Sequence, residues 1–159
     1  MLKAKLIQPS SSPYCAPTFC VRKVNGEWRI VHDFRGLNAK VRVPANPIPR
    51  KDEILRAMGG ARMFTALDLL WEFFQVKLHE DSISYTAFST PDGLFEYLVA
   101  PMGISSSPSC FNRLVQSIIQ DCEAFCRTYF DDLFAFTATD YVDDHLVALR
   151  KVWTRCAEQ

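Results

Sequence analysis

The segment from Cys126 to Phe136 reads Cys-Arg-Thr-Tyr-Phe-Asp-Asp-Leu-Phe-Ala-Phe, so two adjacent carboxylates, Asp131 and Asp132, interrupt a run of aromatic and apolar side chains. Flanks of that composition favour paired strands, and an Asp-Asp step between them suits a tight turn. The corner restricts the fold, because two anions held within about 4–6 Å raise each other's pKa and stay ionised only beside water or a cation. Whatever sheet the flanking strands build must bring this corner to an open surface. A divalent metal site and a solvated turn both meet that condition.

The chain has enough apolar surface for a core. Of its 159 residues 48% are hydrophobic and 13% aromatic, with no low-complexity tract and no internal repeat, which predicts a folded chain of about one domain's length. No apolar run approaches the roughly 20 residues of a bilayer span, and the start Met-Leu-Lys-Ala-Lys lacks the apolar core of a secretory signal. The expectation is a soluble intracellular protein with no membrane partner. Six cysteines (Cys15, Cys20, Cys110, Cys122, Cys126, Cys156) lie in apolar segments without a Cys-x-x-Cys pair, so buried reduced thiols are expected rather than a zinc site. His32, His79 and His145 are far apart and read as ordinary histidines.

Net charge is zero, but its distribution is not even. Residues 1–62 carry twelve Lys or Arg against four Asp or Glu, and residues 63–159 carry six against fourteen, giving +8 and −8. The split suggests one lobe that meets phosphate and one that gathers cations, or two halves that neutralise each other by packing.

Along the chain, residues 7–20 contain three prolines and a serine run and are expected to form an extended loop leading into a strand. Phe19–Lys23 and Glu27–His32 read as strands joined at Asn25-Gly26, a hairpin that bears Arg22, Lys23 and Arg29. Asp33–Asn38 reads as a turn and Val43–Pro49 as extended. Lys51–Met58 is a short helix with acids in its first turn and Gly59-Gly60 after it. Met63–Leu69 is strand-like and delivers a lone acid, Asp68, at its end. Gln75–Leu78, Tyr85–Thr90 and Leu94–Val99 read as further strands. A helix with Ser107 as its cap and Pro108 in first position carries Phe111, Leu114, Val115, Ile118, Ile119 and Cys122 on one face. A last helix, capped by Thr139 or Asp140, carries Val142, Leu146, Leu149, Val152, Trp153 and Cys156.

This order fits a split βαβ sheet in which Asp68 and the Asp131-Asp132 turn lie on neighbouring central strands. Successive strand residues face opposite ways, so both acids reach Asp68 only if the backbone bends between them, as a tight turn allows. Three converging carboxylates suit two Mg²⁺ ions roughly 3.5–4 Å apart, the arrangement of phosphoryl or nucleotidyl transfer.

At this point the residues resemble a known family. Leu67-Asp68-Leu69, Tyr97 to Gly103, Ser107 to Phe111 and Tyr129-Phe130-Asp131-Asp132 are similar to the palm motifs of reverse transcriptases. Ser10 to Tyr14, Trp28-Arg29, Asp33 to Asn38 and Gly59-Gly60-Ala61 resemble the fingers and fingers-to-palm segments of gypsy-class long-terminal-repeat retrotransposons. The match covers nearly the whole chain, in order.

The resemblance implies an α+β fold, a right-hand polymerase palm built as a split βαβ, ferredoxin-like sheet with a partial β-rich fingers subdomain and no thumb. Residues 1–62 would be partial fingers and the fingers-palm connection. Residues 63–159 would be palm, with a fingers insertion near 79–95, ending before the primer grip, so that the chain reads as a fragment of a Pol polyprotein. Asp68, Asp131 and Asp132 match the catalytic triad, with the carbonyl of Leu69 as an extra metal oxygen and Mg²⁺, or Mn²⁺, as cofactor. Lys23 and Arg29 match residues that hold the triphosphate. Phe73 matches the bulky side chain that excludes a 2′-hydroxyl, Met102 and Gly103 the segment beside the nascent base pair, and Tyr129 the support of the metal turn and primer end. The implied partners are a primed RNA or DNA template, deoxynucleoside triphosphates, and the RNase H and integrase of a parent polyprotein. The implied location is cytoplasmic, in retroelement particles, or nuclear.

Three departures from the family pattern stand out. Glu72, after Leu70-Trp71, replaces the glycine usual before the aromatic gate. Phe130 replaces a smaller aliphatic residue, and Ser105-Ser106-Ser107 replaces a Thr-Asn-Ala type sequence. The alternatives to a polymerase are an inactive nucleic-acid-binding remnant and a structural module whose acids are only turns.

Overall fold

Elements form where the sequence periodicity changes, and the computed structural model describes them over residues 1–45 and 50–158, with the side chain of Glu72 outside the described set. In chain order they are β1 (Ile7–Pro9), β2 (Thr18–Arg22), β3 (Trp28–His32), α1 (Arg35–Asn38), α2 (Lys51–Ala57), β4 (Met63–Asp68), α3 (Glu80–Ile83), β5 (Phe88–Thr90), β6 (Gly93–Tyr97), α4 (Ser107–Ile119), β7 (Cys126–Tyr129), β8 (Asp132–Thr137) and α5 (Val142–Ala157). They gather into two compact units, Met1–Pro44 with Phe73–Pro108, and Ala45–Glu72 with Ser109–Gln159.

The second unit contains the sheet β4-β8-β7. Both outer strands run antiparallel to β8 and so parallel to each other, and α4 lies on the connection between them. This is the split βαβ arrangement that the sequence predicts. Alternation sets its faces. Leu133 and Ala135 of β8 and Cys126 and Thr128 of β7 are buried, whereas Phe64, Ala66 and Asp68 of β4 are exposed. Helix α4 buries Phe111, Val115 and Ile119, as its spacing predicts.

Helix α5 is tied to the sheet by one buried polar group. His145, 5% exposed, bonds Thr65 of β4 through Nε2 (2.8 Å) and Thr137 of β8 through Nδ1 (2.9 Å). Both ring nitrogens are thereby satisfied, as a buried imidazole requires.

The first unit pairs β1-β6-β5 in one sheet and β2-β3 in a hairpin. The hairpin turns at Val24-Asn25-Gly26, where Gly26 takes φ +86° and its N–H donates to the Lys23 carbonyl (3.0 Å). The core is Phe88, Tyr97 and Val99, with Leu6, Ile7, Phe74 and Phe95 against it. His32 lies beside this core, its ring centroid 4.1 Å from that of Phe88, bonded to Thr18 Oγ1 (3.0 Å) and Tyr97 Oη (2.9 Å). Burial lowers the His32 pKa and pushes Tyr97 up to about 12, so the packing is built for a neutral imidazole.

Several local expectations are corrected. Ile7–Pro9 is a strand, not loop, because Gln8 and Ser10 bond the Glu96 carboxylate of β6 and Pro9 sits on a sheet edge. Gln75–Leu78 does not form a strand. A 3₁₀ turn occupies Glu72–Gln75, and pairing is limited to a Lys77–Val99 bridge. Tyr85–Thr90 shortens to β5 because Ser84–Thr86 is a 3₁₀ turn closed by Thr86 Oγ1 on the Ile83 carbonyl. Asp33–Asn38 holds the single turn α1, where Asp33 accepts from the Arg35 backbone and guanidinium. Ser107 begins α4 rather than capping it, its buried hydroxyl donating to the Pro101 carbonyl. Tyr141, not Thr139 or Asp140, precedes α5, since Asp140 is engaged by Arg62 (2.7 Å). Part of the extended segment expected at Val43–Pro49 lies outside the described residues.

All six cysteines are free, but Cys15 and Cys20 are exposed rather than buried. Cys20 stands on a two-stranded ribbon, which cannot cover both of its faces. Cys122 and Cys126 are buried as expected, and burial pushes the Cys126 thiol up to about 12.

Two expectations follow from the histidines. Replacing His145 with Leu strands the hydroxyls of Thr65 and Thr137 and should cost about 1–3 kcal/mol in urea unfolding, with most of the loss recovered when both threonines become Val. His32 should titrate below the ordinary 6.5 by NMR. The unfolded chain then takes up a proton that the folded one refuses, so its contribution is present above pH 6.5 and is lost as pH falls from there through the lowered value of the folded state.

Candidate active site

Strand β4 ends on Asp68 and β8 begins on Asp132, and the register places these residues directly opposite each other. Directly opposed residues of an antiparallel pair share a face with Cβ atoms about 4.5–5.5 Å apart. On the other side of Asp132, β7 contributes Tyr129 by the same register. One end of the sheet therefore carries the row Tyr129, Asp132, Asp68 on one face. The sequence places both acids in this region, and the register makes it a row.

Asp131 belongs to the two-residue turn between β7 and β8. The bend is made at Phe130, which takes φ +54°, a left-handed conformation rare for a bulky residue. Strain of about 1–3 kcal/mol is typical of such a position. The Phe130 ring packs edge-on against Tyr129, with centroids 4.7 Å apart, a contact that offsets part of it. Asp131 is then tied to the end of β4, because the Leu69 N–H donates to its carbonyl at 2.9 Å. The bend and this bond bring the corner carrying Asp131 and Asp132 to the end of the strand carrying Asp68.

None of the three carboxylates has a hydrogen bond or ion pair among the described residues, and Asp68 is exposed while Asp131 and Asp132 are half-buried. No three His, Cys, Asp or Glu side chains among the described residues are drawn into a closed metal-ligand cluster. What the backbone provides is three hard, unpaired oxygen donors at one corner, two of them like charges in direct cross-strand opposition. That donor set suits a hard divalent cation such as Mg²⁺, which binds through one or two carboxylates and keeps other positions for water or phosphate.

The structure adds a residue the sequence reading missed. Lys51, in the first turn of α2, holds its Nζ 5.0 Å from the centroid of the Tyr129 ring. A lysine in a short surface helix, far from the acids in sequence, carries no signal of this contact.

The first unit holds the other candidates. Arg29 donates through Nη2 to the Met102 sulfur at 3.4 Å, and Arg29, Met102 and Gly103 border a cleft of about 890 Å³. Gly103 takes φ +99°, and Asn38 braces the segment by donating to the Gly103 carbonyl (2.8 Å) and accepting from the Ser105 N–H (2.8 Å). Lys23 is paired with Glu27 at 3.2 Å, and an Asn25 hydrogen bond together with that pairing lowers the Glu27 pKa. Phe73 sits in the 3₁₀ turn after β4, its carbonyl accepting from the Val76 N–H (3.0 Å). Trp71, just before that turn, takes φ +61°. The Glu72 side chain lies outside the described residues.

Comparison with known proteins gives the family. A family model described as reverse transcriptase (RNA-dependent DNA polymerase) matches residues 21–159. The chain is 38% identical over 165 residues to the retrovirus-related Pol polyprotein from transposon 297 of Drosophila melanogaster, covering 99% of this chain and 15% of that protein. It is 33% identical to the enzymatic polyprotein of cauliflower mosaic virus (strain Strasbourg), covering 98% of this chain and 23% of that one. Among solved structures, the foamy viral protease-reverse transcriptase in complex with double-stranded DNA matches with a TM-score of 0.86 and 26% identity, over 99% of this chain and 27% of that one. The chain thus spans less than a third of the length of each of these proteins. The family model over most of the chain and the identity to these relatives show that the chain belongs to the reverse transcriptase family.

Proposed function

We propose that this chain is the fingers and palm part of an RNA-directed DNA polymerase of a gypsy-class retrotransposon, adding deoxynucleotides to a primer 3′-hydroxyl on an RNA or DNA template. The observation that carries the reading is Asp68 opposite Asp132 with Asp131 bonded through its carbonyl to Leu69. Similarity to a transposon Pol polyprotein supports a retroelement polymerase within a longer polyprotein; the gypsy class and an RNase H and integrase in the parent protein belong to the proposal. Residues 1–62 are assigned to fingers and connection and 63–159 to palm. The segment 79–95, which folds with Met1–Pro44, is assigned to a fingers insertion. Among the described residues no helix is long and apolar enough to cross a membrane. The cytoplasm or a retroelement particle is the proposed location.

Asp68, Asp131 and Asp132, with the Leu69 carbonyl, would hold Mg²⁺ or Mn²⁺. Held there, the metal would supply activation of the attacking hydroxyl and charge neutralisation at the phosphates. The chain's own residues do the rest. Lys23 and Arg29 bind the triphosphate of the incoming deoxynucleotide, for which Lys23 exchanges its exposed Glu27 partner. The Phe73 ring excludes a ribose 2′-hydroxyl by clash, a specificity achieved by rejection. Met102 and Gly103 bound the place of the nascent base pair, and Tyr129 supports the primer end.

Asp68→Asn and Asp131→Asn should each reduce primer extension by about 10²-fold or more, and activity surviving either change removes the assignment. Asp132→Asn should also raise metal-free stability by about 0.2–1 kcal/mol in urea unfolding, because it removes a like charge directly opposite Asp68. A purely solvated turn predicts no effect of these changes on incorporation. Phe73→Ala should admit ribonucleotides, read as their incorporation relative to deoxynucleotides on one template. Unchanged sugar selectivity removes the gate.

A further inference from the structure

The Tyr129 ring is held from two directions. Lys51 Nζ stands over its face at 5.0 Å, and Phe130 meets it edge-on at 4.7 Å. Tyr129 is the first member of the row that continues to Asp132 and Asp68, so Lys51 sits on the ring at the β7 end of that row. Lys51 is exposed and has no ion pair among the described residues, whereas Arg62 and Arg155 of the same unit are paired with Asp140 and Asp121. Of the two lysines that sit over rings in this unit, Lys151 over Phe125 lies away from the carboxylate row and Lys51 over Tyr129 lies on it. An exposed cation seated on an aromatic ring is the combination that holds a nucleic-acid strand, the ring taking sugar or base and the charge taking phosphate. A strand approaching three unpaired carboxylates needs such a charge, because its own phosphates would otherwise be repelled.

We propose that Lys51 is a positioning residue for the primer terminus, an inference that rests on the polymerase reading above. Its ammonium fixes the Tyr129 ring beside the carboxylate row and pairs with a backbone phosphate near the 3′ end of the primer strand.

The test is anisotropy of a labelled duplex with a recessed 3′ end, measured over a range of salt concentrations without divalent ions. Lys51→Met, which keeps length and loses charge, should weaken binding about threefold to tenfold and reduce the log-log salt slope by about one. Lys51→Arg should keep affinity and slope near the unmodified chain. Thermal unfolding of both variants controls for the fold. A Lys51→Met chain with unchanged slope, failure of Lys51→Arg to rescue, an equal loss on a blunt duplex, or no duplex binding by the unmodified chain would each overturn the assignment. Primer extension reads the other question. Extension by a chain whose binding ignores Lys51 overturns only the Lys51 role, and Lys51-dependent binding with no incorporation overturns only the polymerase reading.

Discussion

Everything at the candidate site depends on the register between β4 and β8. A strand slip of one residue would send every side chain to the opposite face. Here the pairing of Leu67 with Leu133, which is buried, is the same pairing that sets Asp68 opposite Asp132 on the open face. Apolar burial, at roughly 25 cal/mol per Å², far outweighs the repulsion of two solvated carboxylates across a strand pair. The core therefore enforces a juxtaposition that the acids alone would avoid. His145 reinforces it by bonding both strands from one helix.

The corner itself relies on a conformation that its sequence does not favour. Glycine at position 130 would remove the strain of φ +54°, but it would also remove the edge contact with Tyr129 and loosen the unfolded chain further. A turn held by an aromatic contact on one side and by the Leu69 N–H on the other leaves Asp131 little freedom. Trp71 repeats the pattern on the segment leaving β4, with φ +61° three residues after Asp68. Both acid-bearing segments thus turn through a bulky residue in a region usually left to glycine, and such outliers concentrate where geometry is constrained by function.

Sequence alone made the central sheet, the positions of the long helices and the placing of the three acids legible, because each shows a clean period or a charge out of place among apolar neighbours. On the expected face of α5, however, Val142, Leu146 and Trp153 are exposed, and His145 and Ala148 are buried instead. Where it misled, either a long-range partner or a competing tight turn decided the outcome. Ile7–Pro9 pairs with β6, more than eighty positions away, and no local pattern announces a three-residue edge strand. Gln75–Leu78 has strand composition, yet a tight turn ends at Gln75 and leaves little length to pair. Asp140 is a good helix cap by type but is taken by Arg62. Lys51 shows the limit most clearly, since its place over Tyr129 is set by packing of α2 against β7 and by nothing within its own helix.

Charge shows the same dependence on folding. Read linearly, the chain divides into a basic half and an acidic half, +8 and −8. Folded, it does not divide there. The first unit holds nine Lys or Arg against six Asp or Glu, and the second nine against twelve, because Arg50, Lys51, Arg56 and Arg62 join the acids. The unit that carries the carboxylate row thus contains its own cations. Arg62 is committed to Asp140, while Lys51 holds its Nζ over the Tyr129 ring. An acidic corner with a positive residue at its side can attract metal ions without repelling every phosphate near it, which a uniformly acidic lobe could not do.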